Sequence, residues 1–103
     1  MSDSILIDDE LFAEMKILFL AGNRDTIANI IKATEQGQMT DAHRLVHTLK
    51  SSAMLIGKTQ LGNISHIAEG MLKSGTKLPQ ELLSTLEAEL TKVLDELQIQ
   101  QTI

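Results

Sequence analysis

The chain contains no cysteine, no tryptophan and no tyrosine, and among its 103 residues only two are phenylalanine and one is proline. Without cysteine, disulfide frameworks, cysteine-based zinc sites and thiol catalysis are excluded. With so few aromatic side chains, a core must be built from Leu, Ile, Met, Val and Ala. These pack well between helices, whereas strands favour β-branched and aromatic residues. Basic residues are the minority: 9 Lys and Arg against 14 Asp and Glu leave a formal net charge of −5. That balance argues against nucleic acid, whose binders carry a basic patch or stripe, and against an anionic membrane surface. No apolar run is long enough to span a bilayer. Met1-Ser2-Asp3-Ser4 is neither basic nor followed by a signal-peptide hydrophobic region. A cytoplasmic monomer is the expectation, and Met1 with the compact length favours a free-standing protein.

Hydrophobic residues make up 43% of the chain, enough for one small core, and the length implies a single domain over 1–103. Glycines and Pro79 divide it into five helical segments. The first is predicted from about Asp8 to Leu20, capped by Asp8 or Asp9, with Leu11, Phe12, Met15, Leu18 and Phe19 on one face. Ala21-Gly22-Asn23 breaks it. The second runs from about Arg24 to Gln36, with Ile27, Ile30 and Ile31 inward and Gly37 as its stop. The third follows Thr40 as N-cap and reaches Ile56, before Gly57. The fourth covers about Thr59 to Ser74, with Leu61, Ile64, Ala68, Met71 and Leu72 on one side. Pro79 opens the fifth, where a missing N–H costs nothing. Leu83, Leu86, Leu90, Val93 and Leu97 then follow bundle-seam spacing, and the tail from Gln98 is expected to fray. No stretch reads as a strand. Short connections imply antiparallel neighbours. The predicted fold is all-α, an antiparallel four-helix bundle with an additional N-terminal helix.

The third helix carries the unusual residues. At about 100° per residue, Ala42, Leu45, Val46, Leu49, Ala53 and Ile56 share one sector, the core face. His47, Lys50, Ser51 and Met54 stack along a strip well away from it, with His43 one turn before His47. Three readings of that strip stand open. His47 is a plain surface histidine, since exposed polar residues need no explanation. His43 and His47 are a metal pair at i, i+4, although no Asp, Glu or Cys on this helix completes a ligand set and Lys50 repels a cation. Or His47 is a nucleophile, because neutral imidazole can form a covalent intermediate near neutral pH. In that case Lys50 is a point charge suited to phosphate oxygens, and Ser51 is small enough for close approach. Met54 reads either as a stray surface methionine or as an adaptable docking contact.

The segment His47-Thr48-Leu49-Lys50-Ser51-Ser52-Ala53, followed by Gly57 and Leu61, resembles the signature of histidine phosphotransfer (HPt) domains of bacterial phosphorelays. Ala42, Arg44 and Leu45 also resemble that family, as does Glu69, where members often carry Glu or Gln on the following helix. The resemblance spans about Ile27 to Leu72. One position departs: Ser51 stands where the family usually has Gly.

The resemblance implies that His47 takes a phosphoryl group from an aspartyl phosphate on one receiver domain and passes it to an aspartate on another. Attack through Nε2 would need the ring proton on Nδ1, and Glu69 is the candidate acceptor of that N–H. Its alternative is a solvated glutamate on the helix surface. Lys50 would neutralise the transferring phosphoryl oxygens, with Ser51 beside it. His43, Arg44 and Met54 would contact the partner. Implied partners are response-regulator receiver domains and a hybrid histidine kinase. No cofactor is implied for this chain, Mg²⁺ being supplied by the receiver. The absence of a nucleotide-binding Gly-rich loop implies a relay intermediate rather than a kinase. The rival function is a helical adaptor with the same bundle that binds receivers or kinases without phosphotransfer.

Overall fold

The computed structural model describes residues 9–102, with side chains to 100. Over that span the chain forms five helices: α1 Asp9–Gly22, α2 Thr26–Glu35, α3 Met39–Leu55, α4 Thr59–Lys73 and α5 Gln80–Thr102. No strand occurs among the described residues. α2 packs on α3 and α5, and α4 packs on α3 and α5, so these four close into a bundle. α1 is the additional helix and lies against α5. Its Lys16 donates to Gln100 at 3.3 Å, and Arg24 just beyond it donates to Gln98 at 3.1 Å.

The core has the aliphatic composition that the sequence requires. Ile30, Val46, Leu49, Leu61, Leu86, Leu90 and Leu97 are fully enclosed. α3 and α4 make the most extensive helix contact in the molecule. Small residues allow it: Ala42 and Ala53 on α3 meet the bundle opposite Gly62, Ser65 and Ala68 on α4, all buried. At Gly62 a Cβ would lie 2.3 Å from Met54 Sδ, so the missing side chain is what lets Met54 lie across α4.

Three of the four helix connections are built alike. After α3, Gly57 adopts φ +78°, the Gly57 N–H donates to Met54 O at 3.1 Å, and the Lys58 N–H donates to Ala53 O at 2.8 Å. This is a Schellman closure, in which a left-handed residue lets the chain satisfy the last carbonyls and turn at once. It returns α4 antiparallel along α3 within three residues. Gly37 and Gly75 end α2 and α4 with the same hydrogen-bond pattern.

Several expected details differ. Asp8 lies outside the described residues, and Asp9 is already helical rather than a cap. α2 begins at Thr26, later than Arg24, because Asn23 turns the chain by donating to Phe19 O at 2.9 Å and accepting from Thr26 Oγ1 at 2.8 Å. Thr40 is not the N-cap of α3. The helix starts at Met39 with Gln38 in the cap position, because the preceding closure already fixes Gln38 through its N–H to Ala33 O at 2.8 Å. Ile31 and Leu45 are only half-buried. The tail from Gln98 is helical: α5 continues to Thr102, since Gln is a competent helix former and Gln98 and Gln100 accept from Arg24 and Lys16.

Two glycine substitutions should move stability in opposite directions. At Gly57 a Cβ meets no atom within 4 Å, so Gly57→Ala should cost about 1–2 kcal/mol from the left-handed φ alone. Gly70 is exposed, helical and equally open, so Gly70→Ala should stabilise by about 1 kcal/mol. Urea unfolding of both variants checks this pair; equal shifts of one sign would contradict the closure as described.

Candidate functional site

His47 sits in the middle of α3 with its side chain 54% exposed, off the core face formed by Ala42, Val46, Leu49 and Ala53. Its ring is not free. Nδ1 makes a close hydrogen bond with Glu69 Oε2, across a sequence separation of 22 residues. A carboxylate only accepts, so Nδ1 carries the proton and donates it. Among the described residues no group bonds Nε2, so in a neutral ring Nε2 is the nitrogen without the proton.

Glu69 is the acidic member of the group. It belongs to α4, yet it is 8% exposed, buried at the α3 interface rather than solvated on the helix surface. A carboxylate removed from water needs a compensating cation. Lys50, one turn after His47, supplies it by donating from Nζ to Glu69 Oε1 at 2.5 Å. The Lys50 ammonium is the main reason the Glu69 carboxyl is held at about 2, against an ordinary 4.5, with burial opposing and the His47 hydrogen bond assisting. The carboxylate therefore stays ionised at any physiological pH.

Two further histidines face the same carboxylate. His43 Nε2 lies 3.7 Å from Oε2, and His66 Nδ1 lies 4.0 Å from Oε1. The rings of His43 and His47 are nearly parallel, 12° between planes and 6.2 Å between centroids. An open cleft of about 620 Å³ runs over this cluster, with Arg44 and Lys73 among its lining residues. Among the described residues no group of three His, Cys, Asp or Glu side chains is placed to hold a metal ion. The chemistry available is that of an exposed imidazole with its tautomer set, a fixed anion behind it, and cations around it.

The sequence-predicted residues thus fall into two groups. His43, His47, Lys50 and Glu69 converge on one carboxylate. Ser51 is exposed on α3, and Met54 is 51% exposed on the same helix. Arg44 lines the histidine cleft and also a second, apolar groove of about 400 Å³ formed with α1 and α2. Met15, Leu18, Phe19, Leu45 and Leu55 line that groove, with Leu18 70% and Leu55 58% exposed. His66 and Lys73 were not singled out from the sequence. Their i−3 and i+4 spacing to Glu69 is the only signal that could have found them, and it carries weight only once Glu69 is known to face α3.

A model of the Hpt domain family matches residues 14–98. No curated protein and no solved structure matches the chain. No helix among the described residues is long and apolar enough to cross a membrane.

The low Glu69 pKa has a consequence for acid stability. A carboxyl whose pKa is depressed on folding stabilises the native state above its unfolded value, and that contribution is lost as pH falls toward the folded value. The Glu69 contribution should be intact above pH 4.5 and disappear between 4.5 and about 2. Glu69→Gln should flatten the pH dependence of urea stability across that window. An unchanged slope in the variant would show that the ion pair is not present in solution.

Proposed function

The chain belongs to the Hpt domain family, and from that premise we propose that His47 is its phosphoryl acceptor, relaying the group between receiver-domain aspartates. The observation that carries the reading is the hydrogen bond from His47 Nδ1 to buried Glu69, which leaves Nε2 as the free nucleophilic nitrogen. In the forward step, the Nε2 lone pair attacks phosphorus of an aspartyl phosphate. The N–P bond forms as the P–O bond to the aspartate breaks, and the bonding pair leaves with the aspartate carboxylate. Nδ1–H keeps its proton, so the ring becomes cationic, and the Glu69 carboxylate is already in place to offset that charge. Onward transfer is the same path reversed, to a second aspartate.

Lys50 is spent in part on Glu69 through one of its three N–H donors. The remaining donors are available to phosphoryl oxygens. We assign the divalent metal of the transfer, Mg²⁺, to the receiver partner. Ser51 admits close approach beside Lys50. Arg44 and Met54 form the docking rim, backed by the apolar groove around Leu18 and Leu55. On this reading the chain carries phosphoryl groups and does not generate them from nucleotide.

Incubation with a phosphorylated receiver domain tests the assignment. Wild type should acquire an acid-labile, base-stable phosphoryl group, and His47→Gln should acquire none while remaining folded, because the side chain is exposed. Lys50→Ala should slow transfer at least about tenfold and lower stability, since it leaves buried Glu69 without its cation. A label retained in His47→Gln would move the acceptor elsewhere. Complete absence of label in wild type with normal receiver binding would favour the adaptor function instead.

Docking is tested separately. Met54→Asp places a charge on an apolar contact and should weaken receiver affinity about tenfold, a typical loss for a central interface residue. Calorimetric titration with an unphosphorylated receiver reads this directly, and an unaltered Kd would take Met54 out of the interface.

A further inference from the structure

We propose that His43 is a positioning residue for His47: its ring forms a flat wall that fixes the plane of the acceptor imidazole. The proposal rests on the reading of His47 as phosphoryl acceptor for its functional meaning, and on geometry alone for its physical content.

The Nδ1 hydrogen bond orients the imidazole only while it is made. The torsion that turns the ring is an sp³–sp² torsion with broad wells, so each time the bond opens the ring can turn. The side chain of His47 is 54% exposed, so solvent offers little resistance to that turn. A second constraint raises the fraction of time that Nε2 holds one direction. The ring beside His47 is that of His43, one helical turn away, parallel within 12° and with its centroid 6.2 Å distant. Near-parallel rings at this separation fall within the range of aromatic pairs.

His43 is itself held in place. Its side chain is 36% exposed, deeper than that of His47, and its Nε2 is 3.7 Å from Glu69 Oε2, the oxygen that also accepts from His47. That distance is too long for a hydrogen bond but within reach of electrostatic attraction. The carboxylate therefore divides its neighbours. Oε1 faces Lys50 and His66, and Oε2 faces His47 and His43. Removing His43 leaves Glu69 and Lys50 in place, so the His47 hydrogen bond can still form and the tautomer survives. What is lost is the wall, and with it the fraction of time that Nε2 lies on the line of attack. Rate is sensitive to such misalignment even when binding is not.

The experiment compares wild type with His43→Ala, His43→Phe and His43→Gln. Phe restores a flat ring without nitrogen, and Gln restores a polar reach without a ring. The first readout is nuclear magnetic resonance of the free protein, in which three-bond couplings report the His47 ring torsion. Wild type and His43→Phe should show one torsional state, and His43→Ala and His43→Gln an average of several. The second is phosphoryl transfer against receiver concentration. His43→Ala should lose about three- to tenfold in rate at saturating receiver with an unchanged half-saturation concentration, and His43→Phe should recover to within twofold. A fixed ring torsion in His43→Ala overturns the proposal. So does a loss confined to half-saturation, which would make His43 a partner contact, or rescue by Gln and not by Phe. If wild type accepts no phosphoryl group but the torsion averages in His43→Ala, the relay reading fails and the positioning role stands.

Discussion

A carboxylate buried between two helices has to be neutralised where it lies, and the compensation of Glu69 by groups on α3 is the constraint on which the site depends. Lys50 offsets its charge, and His47 takes up its second oxygen. The pairing makes one interaction serve two purposes. It ties α4 to α3 at a defined register, and it dictates which ring nitrogen of His47 carries the proton. A nucleophilic histidine needs the second of these, and a small bundle benefits from the first. On the proposed relay function, the same carboxylate would offset the positive charge that develops on the ring as Nε2 bonds to phosphorus.

That register is set by features far from the histidine. Gly57 takes a left-handed conformation that turns the chain at once, and small residues on both helices bring α3 and α4 close. Only at such an approach do His47 and Glu69, 22 residues apart, come within hydrogen-bond reach. The fold is therefore more than a scaffold that holds a histidine in solvent. Its most extensive helix contact is the one that brings His47 to Glu69.

The local electrostatics run against the global balance. The chain carries a net charge of −5, yet the cleft over His47 is lined by Arg44, Lys50, Lys73 and three histidines, with Glu69 as its single acidic residue. A net negative charge disfavours polyanions such as nucleic acid, while the cations lining the cleft favour a small anion. The apolar groove beside α3, with Leu18 and Leu55 exposed, supplies contact area that the polar cleft lacks.

Sequence periodicity by itself determined the five helices, their glycine stops and the face of α3 on which His47, Lys50, Ser51 and Met54 lie. It could do so because each of these is a property of one helix, where 3.6 residues per turn relates position to direction. Family-like spacing then separated His47 from His43 and pointed to Glu69. Tertiary structure alone decided that Glu69 is buried, that Lys50 is its counter-ion, that His43 and His66 face the same carboxylate, and that α5 keeps its helical tail beneath α1. These are relations between helices. They depend on the summed packing of many small and aliphatic side chains across α3 and α4, and no pattern within either helix records the outcome. His47 is thus exposed because of its own helix, and its tautomer is fixed because of the next one.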